Sequence, residues 1–427
     1  MHRNTIWGIT LTILLIFTGL ISQQKADSIS SLSNSSATSP SKLLAAEVGV
    51  NQLVKANNRF SFDLFSQLQE SPTENIFISP QSIAIALAMA RNGTEGETLA
   101  EINRTLGLSE LDTEAVDAGY GQLAQILTTA DPNIQLAISN SLWVNKDIEL
   151  KEPFIDRSQK FYQAKVTNLD FSDPASLETI NQWVASNTAQ KIPQIVDSLS
   201  PEDALYLINA IYFQGSWTKK FDPSQTTEQP FFRRSQTSTP VQMMSQTGDY
   251  RYYVNEQFQA VRLPYGKAGE MGMYIFLPQS ESSLEQFNQQ LNLDNWQEWL
   301  SQMRSQSGNI SLPKFKLEYD TELQDVLSAL GMEQVFNGDR ANFSAMTDSP
   351  MAIDTVKHKA VIEVDEKGTE AAGVTSIGIR ITSAMPEKQP FNLNINRPFF
   401  FAIQDDITKS ILFMGNVVEP EEVRSEK

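Results

Sequence analysis

"TVKHKAVIEVDEKGTEAAG", Thr355 to Gly373, runs from a strong strand signal into a weak one. In its first part Val356, His358, Ala360, Ile362 and Val364 fall on alternate positions, the period-two pattern of a strand with one face in a core. The alternation continues past Asp365. Laid out as a strand, Thr369, Ala371, Gly373, Thr375, Ile377, Ile379 and Ile381 share one face, and none of them is charged. The other face takes Glu370, Ala372, Val374, Ser376, Gly378 and Arg380, with both charges. The first half of this segment is too small and too rich in Gly to hold itself strongly in a sheet. It is suited to being a strand without having to be one, and a flexible loop with fortuitous alternation is the equal alternative.

Around this stretch the composition narrows the chemistry. The chain has 427 residues, 41% hydrophobic and 20% charged, enough for a large core in one big domain or two ordinary ones. A net charge of -18, with no run of five Lys or Arg, argues against nucleic acid or an anionic membrane surface as the main partner. The absence of Cys removes thiol catalysis, disulfides, thiolate zinc and iron-sulfur centres. Only His2 and His358 carry imidazole, so a metal site built on His is disfavoured and a Ser-His-Asp triad would have to use His358. No Gly-x-Ser-x-Gly elbow accompanies it, and a buried His satisfied by hydrogen bonds is the better reading. Asp365 and Glu366, adjacent on a strand, point to opposite faces and cannot converge on one substrate; with Glu370 they read as a solvated charge run.

His2 and Arg3 precede Ile6 to Ile21, a mainly apolar segment without charge, so residues 1–26 read as a signal peptide or, uncleaved, a signal anchor. A Ser-rich linker over residues 27–46 leads to a folded domain at 47–422. Export follows as an expectation, to an extracellular or periplasmic location, with a membrane tether if the leader is retained. Asn-x-Ser/Thr sequons such as those at Asn92, Asn103, Asn309 and Asn342 matter only in a source that glycosylates exported proteins.

Helical spacing of apolar residues predicts an amphipathic helix over Val50 to Glu70. Asn75 to Ser79 reads as a short strand, and Ser79-Pro80 opens a helix that is apolar on every side from Ile83 to Ala90 and so lies at the centre. Ala204 to Trp217 predicts a central strand buried on both faces, with Asn209 needing partners. Met273 to Leu277 is a second buried strand, "KFKLEY" a half-exposed one, and Thr321 to Leu330 a short helix. "RPFFFAI" and "SILFMGNVV" form a strand pair across Asp405-Asp406. The mixture, without strict alternation or fixed repeat, is that of a single α+β domain.

Five stretches in order, "NIFISPQSIAIALAMARNGTEGET", "LINAIYFQGSWTKKFDP", "HKAVIEVDEKGTEAAG", "NRPFFFAI" and "ILFMGNVVEP", make the chain resemble a serpin, a serine protease inhibitor, over about residues 50–420. The resemblance implies three β-sheets, eight or nine helices and an exposed reactive loop at about 366–395. That loop is cut by a protease and inserts into the central sheet as a new strand, trapping the enzyme as its acyl derivative. It implies an inhibitor and not an enzyme, acting as a monomer without cofactor. The hinge falls at Glu366, Gly368, Thr369, Glu370, Ala371, Ala372 and Gly373, with no bulky side chain to obstruct it. Ser79, Ser82, Asn209 and His358 match the shutter, a hydrogen-bond cluster beneath the central sheet, and Trp217 matches the breach at its top. The family spacing puts the bait bond at Thr382-Ser383, suited to elastase-like or subtilisin-like proteases, with Arg380-Ile381 as a trypsin-like alternative and cysteine proteases as a further target class. Gly373 stands where many inhibitory members have Ala. The segment from Thr105 to Asn133 has no Lys or Arg, so a heparin-type activator is not expected. A non-inhibitory binding or chaperone-like member is the rival reading.

Overall fold

The computed structural model describes residues 40–70, 74–129, 131, 133–233, 237–369 and 389–421. Contacts divide the chain into Met1–Val48 and Gly49–Lys427. Of the first unit only the start of a helix is described; both sheets and the cores belong to the second.

Among the described residues there are nine α-helices: α1 (Pro40–Gln67), α2 (Pro80–Arg91), α3 (Gly96–Thr105), α4 (Thr113–Thr129), α5 (Glu152–Tyr162), α6 (Pro174–Asn187), α7 (Leu284–Asn288), α8 (Leu293–Gln302) and α9 (Gln324–Ala329). The strands are β1 (Ile76–Ile78), β2 (Ile134–Asn145), β3 (Lys165–Leu169), β4 (Leu205–Ser216), β5 (Thr227–Phe232), β6 (Ser238–Val254), β7 (Phe258–Tyr265), β8 (Met271–Pro278), β9 (Arg304–Pro313), β10 (Phe315–Glu322), β11 (Thr355–Val364), β12 (Gly368–Thr369), β13 (Phe391–Asn394), β14 (Phe399–Asp405) and β15 (Ile411–Val417).

A six-stranded sheet runs β10-β11-β12-β4-β2-β3, with β11 also pairing β4 directly. The remaining strands hydrogen-bond as β1-β15-β14-β8-β7-β6-β9-β13, with β5 on β6. The small set β5, β6, β9 and β13 is continuous with the larger one because β6, seventeen residues long, serves both: Ser238–Met243 pairs β5 and Arg251–Val254 pairs β7.

The strand read at Ala204 to Trp217 is β4, buried on both faces. Leu205 and Leu207 join the core around α2; Ile211 and Phe213 join a second core with β7, β8, β14 and β15; Tyr206, Ile208 and Ala210 pack under α6 with Trp143, Phe171 and Ile180. Helix α2 is buried along its whole length, capped by Ser79 with Pro80 in its first turn. The C-terminal pair, β14 and β15, sits inside its sheet, where Phe77 stacks on Phe401 and Phe413 with centroids 5.8 and 5.4 Å away. Two boundaries differ from the sequence reading. The first helix begins ten residues earlier, at Pro40. Helix α9 begins at Gln324, since Thr321 and Glu322 are held in the ladder opposite His358 and Lys357.

Candidate functional site: the seam between β4 and β11

Strands β4 and β11 lie side by side, parallel, from Thr355 opposite Tyr206 to Val361 opposite Tyr212. Above that level they part, and β12 stands between them. Gly368 pairs with Ser216, and Thr369 pairs with Gly215 on one side and Val364 on the other. The seam is therefore closed below and already occupied at its head.

The closed part is pinned by a buried polar cluster. His358 lies opposite Asn209 in the register, and its Nδ1 is 2.8 Å from Asn209 Oδ1. Its Nε2 accepts the Ser79 backbone N–H at 3.2 Å. A backbone N–H can only donate, so Nε2 is the bare nitrogen and Nδ1–H donates to Asn209. Asn209 Nδ2 in turn donates to Asn140 Oδ1 at 2.7 Å and to the Ser82 hydroxyl and carbonyl. Ser79 Oγ donates to the Leu412 carbonyl at 2.7 Å. Four strands and α2 are thus tied at one level. His358 is fully buried, and burial pushes its pKa down to about 3, so the imidazole is neutral at pH 7. Among the described residues its partners are a backbone N–H and an amide oxygen, neither of which it could activate as a nucleophile.

At the head of the seam the contacts are aromatic and backbone. The Trp217 ring stacks on Tyr265 at 4.3 Å, and its Nε1–H donates to the Asp365 carbonyl at 3.0 Å. The Trp217 and Phe221 backbone N–H groups donate to the carbonyls of Lys367 and Glu366. The expected solvated charge run is corrected here. The Glu366 side chain is mostly buried, accepting from Lys314 Nζ at 3.0 Å and from the Thr226 hydroxyl at 2.8 Å. Burial alone would raise its pKa, but these bonds outweigh burial and hold the carboxyl below its ordinary range. It escapes solvent because the chain turns inward after β11 and Lys314 waits there as counter-ion. The start of the hinge is likewise fixed. Gly368 has φ +150°, and a Cβ on it would lie 2.1 Å from the Gly215 carbonyl oxygen, so its smallness serves close approach to β4. Thr369 is 1% exposed, with its hydroxyl 2.7 Å from that of Tyr265.

The structure thus gathers Ser79, Ser82, Asn209 and His358 in the lower cluster and Trp217, Glu366, Gly368 and Thr369 at the upper one. Glu370, Ala371, Ala372, Gly373, Arg380, Ile381, Thr382 and Ser383 lie outside the described residues. The chain returns at β13, parallel to β9. There Phe391 stacks on Tyr252 at 4.0 Å and covers Gly308, where a Cβ would collide with the ring. Sequence reasoning passed over Asn140, Tyr265, Thr226 and Lys314. Asn140 carried a signal, an amide inside an otherwise buried strand; Lys314 read only as the outward half of "KFKLEY". A cavity of about 600 Å³ lies away from the seam and is lined by Phe232, Arg233, Leu284, Asn288, Arg397 and Asn416 among others.

Comparison with known proteins agrees with this architecture. The family model "Serpin (serine protease inhibitor)" matches residues 55–420. A protein of Methanosarcina acetivorans described as an uncharacterized serpin-like protein is 32% identical over 433 residues, 99% of each chain. Human Serpin B4 is 33% identical over 394 residues, 87% of this chain and all of that one. Among solved structures, the thermophilic serpin tengpin in its native state superposes with TM-score 0.78 at 30% identity, covering 86% of this chain and 94% of that one. Human thyroxine-binding globulin complexed with its hormone gives 0.80 at 28%, covering 88% and 100%. A parallel seam closed by a polar cluster, set in this strand order and matched along nearly its whole length, places the chain in the serpin family of serine protease inhibitors.

Proposed function

We propose that this protein inhibits a serine-type endopeptidase as a suicide substrate, through insertion of its reactive loop into the β4/β11 seam. The observation that carries the reading is β12, whose two residues already occupy the head of the seam in register with both walls. Continuing that antiparallel register brings Ala371 opposite Phe213 and Ile362, Thr375 between Asn209 and His358, and Ile379 opposite Leu205. Thr369 already points inward, so the uncharged odd face of the loop would follow it into the core. Each inserted strand widens a sheet by about 4.8 Å, so the His358–Asn209 bond must break as Thr375 arrives.

The chemistry belongs to the target. Its serine Oγ attacks the Thr382 carbonyl carbon, the bond to the Ser383 nitrogen breaks, and the nitrogen leaves as a new N-terminus carrying a proton. Insertion of the freed loop then removes the acyl-enzyme from water before hydrolysis. Thr382-Ser383 favours an elastase-like or subtilisin-like enzyme. Arg380-Ile381 is the second choice for a trypsin-like one, because it would shorten the inserted strand by about 7 Å. We place the protein outside the cytoplasm, on the strength of the apolar leader, acting as a monomer.

The test is incubation with elastase-like, subtilisin-like and trypsin-like proteases. A complex that survives SDS, and a C-terminal fragment beginning at Ser383 by mass spectrometry, are expected. Cleaved protein without any such complex across the panel overturns the reading. A second reading, ligand carriage without inhibition, draws support from the large cavity and the likeness to thyroxine-binding globulin. In the cavity wall the Arg397 guanidinium donates to the Pro278 carbonyl at 2.6 Å, and Asn416 is 5% exposed with its amide oxygen unpartnered among the described residues. Thermal stabilisation by thyroxine, used as an amphipathic carboxylate probe, together with failure to form a complex, would turn the assignment to it.

A further inference from the structure

We infer that Tyr265 is a positioning residue for loop insertion: its hydroxyl holds Thr369 at the head of the seam, so that insertion extends a strand already begun. The inference rests on the inhibitor reading. The two hydroxyl oxygens are 2.7 Å apart, Tyr265 is fully buried and Thr369 is 1% exposed, so neither can exchange its partner for water. The phenol ring cannot swing away. It is stacked on Trp217 at 4.3 Å and meets Phe213 edge-on at 5.2 Å. The space for this meeting comes from Gly215, opposite Thr369 in the register, where a Cβ would lie 3.0 Å from Tyr265 Cδ1 and 2.8 Å from Phe213 Cζ. On the next residue pair, Gly368 brings its own backbone against β4. Two glycines and one phenol therefore build a seat for a single threonine. Burial also keeps the phenol far above its ordinary pKa, so the seat does not open with pH in any working range.

The consequence is kinetic. Once the ester between the protease serine and Thr382 has formed, two processes compete. Either the loop inserts, or water attacks the ester carbonyl, restoring the serine hydroxyl and leaving a carboxylate on Thr382. Starting a strand costs backbone entropy before its later contacts repay it, and here the first two residues are ordered in the resting protein. Removing the seat should therefore shift the competition toward hydrolysis, raising the number of inhibitor molecules consumed per protease inactivated. The association rate should not change, because the bait bond is untouched.

Tyr265→Phe and Thr369→Val each remove one hydroxyl, their combination removes both, and Thr369→Ser keeps the bond. Hydrogen exchange of the 364–370 backbone in the protein alone is expected to quicken about five- to thirty-fold in both single variants, the range that corresponds to one or two kcal/mol. The double variant should be no faster than the singles, and Thr369→Ser should match wild type. The stoichiometry of inhibition should rise in the same variants at an unchanged association rate. Unchanged exchange in Tyr265→Phe overturns the seat, and raised exchange with unchanged stoichiometry overturns its link to insertion. If wild type forms no complex with any protease, the inhibitor reading fails on its own. The link is then decided by cutting the loop with any protease and timing insertion through Trp217 fluorescence: slower insertion in Tyr265→Phe upholds it, and an equal rate refutes it.

Discussion

The lower and upper parts of the seam are held by opposite means. Below, the bonds run across it: His358 to Asn209 joins the two walls directly, and Asn140, Ser79 and Ser82 brace them from behind. Above, the walls are parted, and the bonds run to the chain between them, from Trp217 just past β4 to the Asp365 and Lys367 carbonyls and from Tyr265 of β7 beneath to Thr369. The insertion proposed above can leave the upper set intact, but it must sever the His358–Asn209 bond below. The difference teaches where that proposed insertion would meet its barrier: at the level of the buried imidazole, well down β4 from Gly215, where Thr369 is paired.

The largest expected effect breaks the seam from the inside. Thr375→Arg would carry an unpaired guanidinium to a site between neutral His358 and Asn209, a burial no neighbouring group compensates. Complexes with protease should vanish on SDS gels while loop cleavage persists. Glu370→Lys, on the opposite face beside half-exposed Gln214 and Glu363, should still form them. Equal behaviour of the two variants would refute the register.

Next comes His358→Ala, which strands the Ser79 N–H and the Asn209 amide oxygen. At about 1–3 kcal/mol for each buried group left unpaired, a loss of roughly 2–6 kcal/mol should appear in urea unfolding. A loss under about 1 kcal/mol would mean that the lower seam is not held by this cluster.

A third, smaller effect follows from the same imidazole. Its folded pKa of about 3 lies below the ordinary 6.5, so as pH falls the unfolded chain takes the proton first. The contribution of neutral His358 is whole above pH 6.5 and is lost as pH drops from there toward 3, by up to about 1.4 kcal/mol per pH unit. The difference in stability between wild type and His358→Gln, followed from pH 7.5 to 4, isolates this slope from the carboxylates common to both. A difference independent of pH would contradict a buried neutral ring. The smallest effect belongs to the outer face. Lys359 bridges Glu318 at 2.9 Å, but Glu318 is 45% exposed, so Lys359→Ala should change stability by less than about 1 kcal/mol in the same unfolding assay.

Much of this contrast was legible in the sequence, for definite reasons. The lower cluster could be read because a polar side chain inside an apolar strand must be satisfied, and Asn209 and His358 announce themselves that way. Helix α2 was legible for the complementary reason, having no wet face. The upper cluster was harder. Glu366 looks like any surface carboxylate until Lys314, some fifty residues away, is brought beside it by a strand crossing that local patterns do not encode. Tyr265 is one aromatic among many, and only its distance to Thr369 distinguishes it. Gly368 was read as freedom, whereas contact with the Gly215 carbonyl makes it a fit. Sequence patterns report which face a residue prefers; they do not report which two distant faces meet.

Under the proposed insertion, the docking of Gly368 and Thr369 also makes the loop a counted object. Because β12 fixes which residue is first, the identity of every later residue in the slot is decided by parity. One residue added after Thr369 would send the former Glu370, and after it Ala372, Val374, Ser376, Gly378 and Arg380, to the core side, with both charges. Two residues added would keep the faces and move the bait bond by about 7 Å. The length of this loop can therefore vary in twos far more readily than in ones, and an unaligned pair of such sequences could be sorted by whether the count between hinge and bait bond is odd or even.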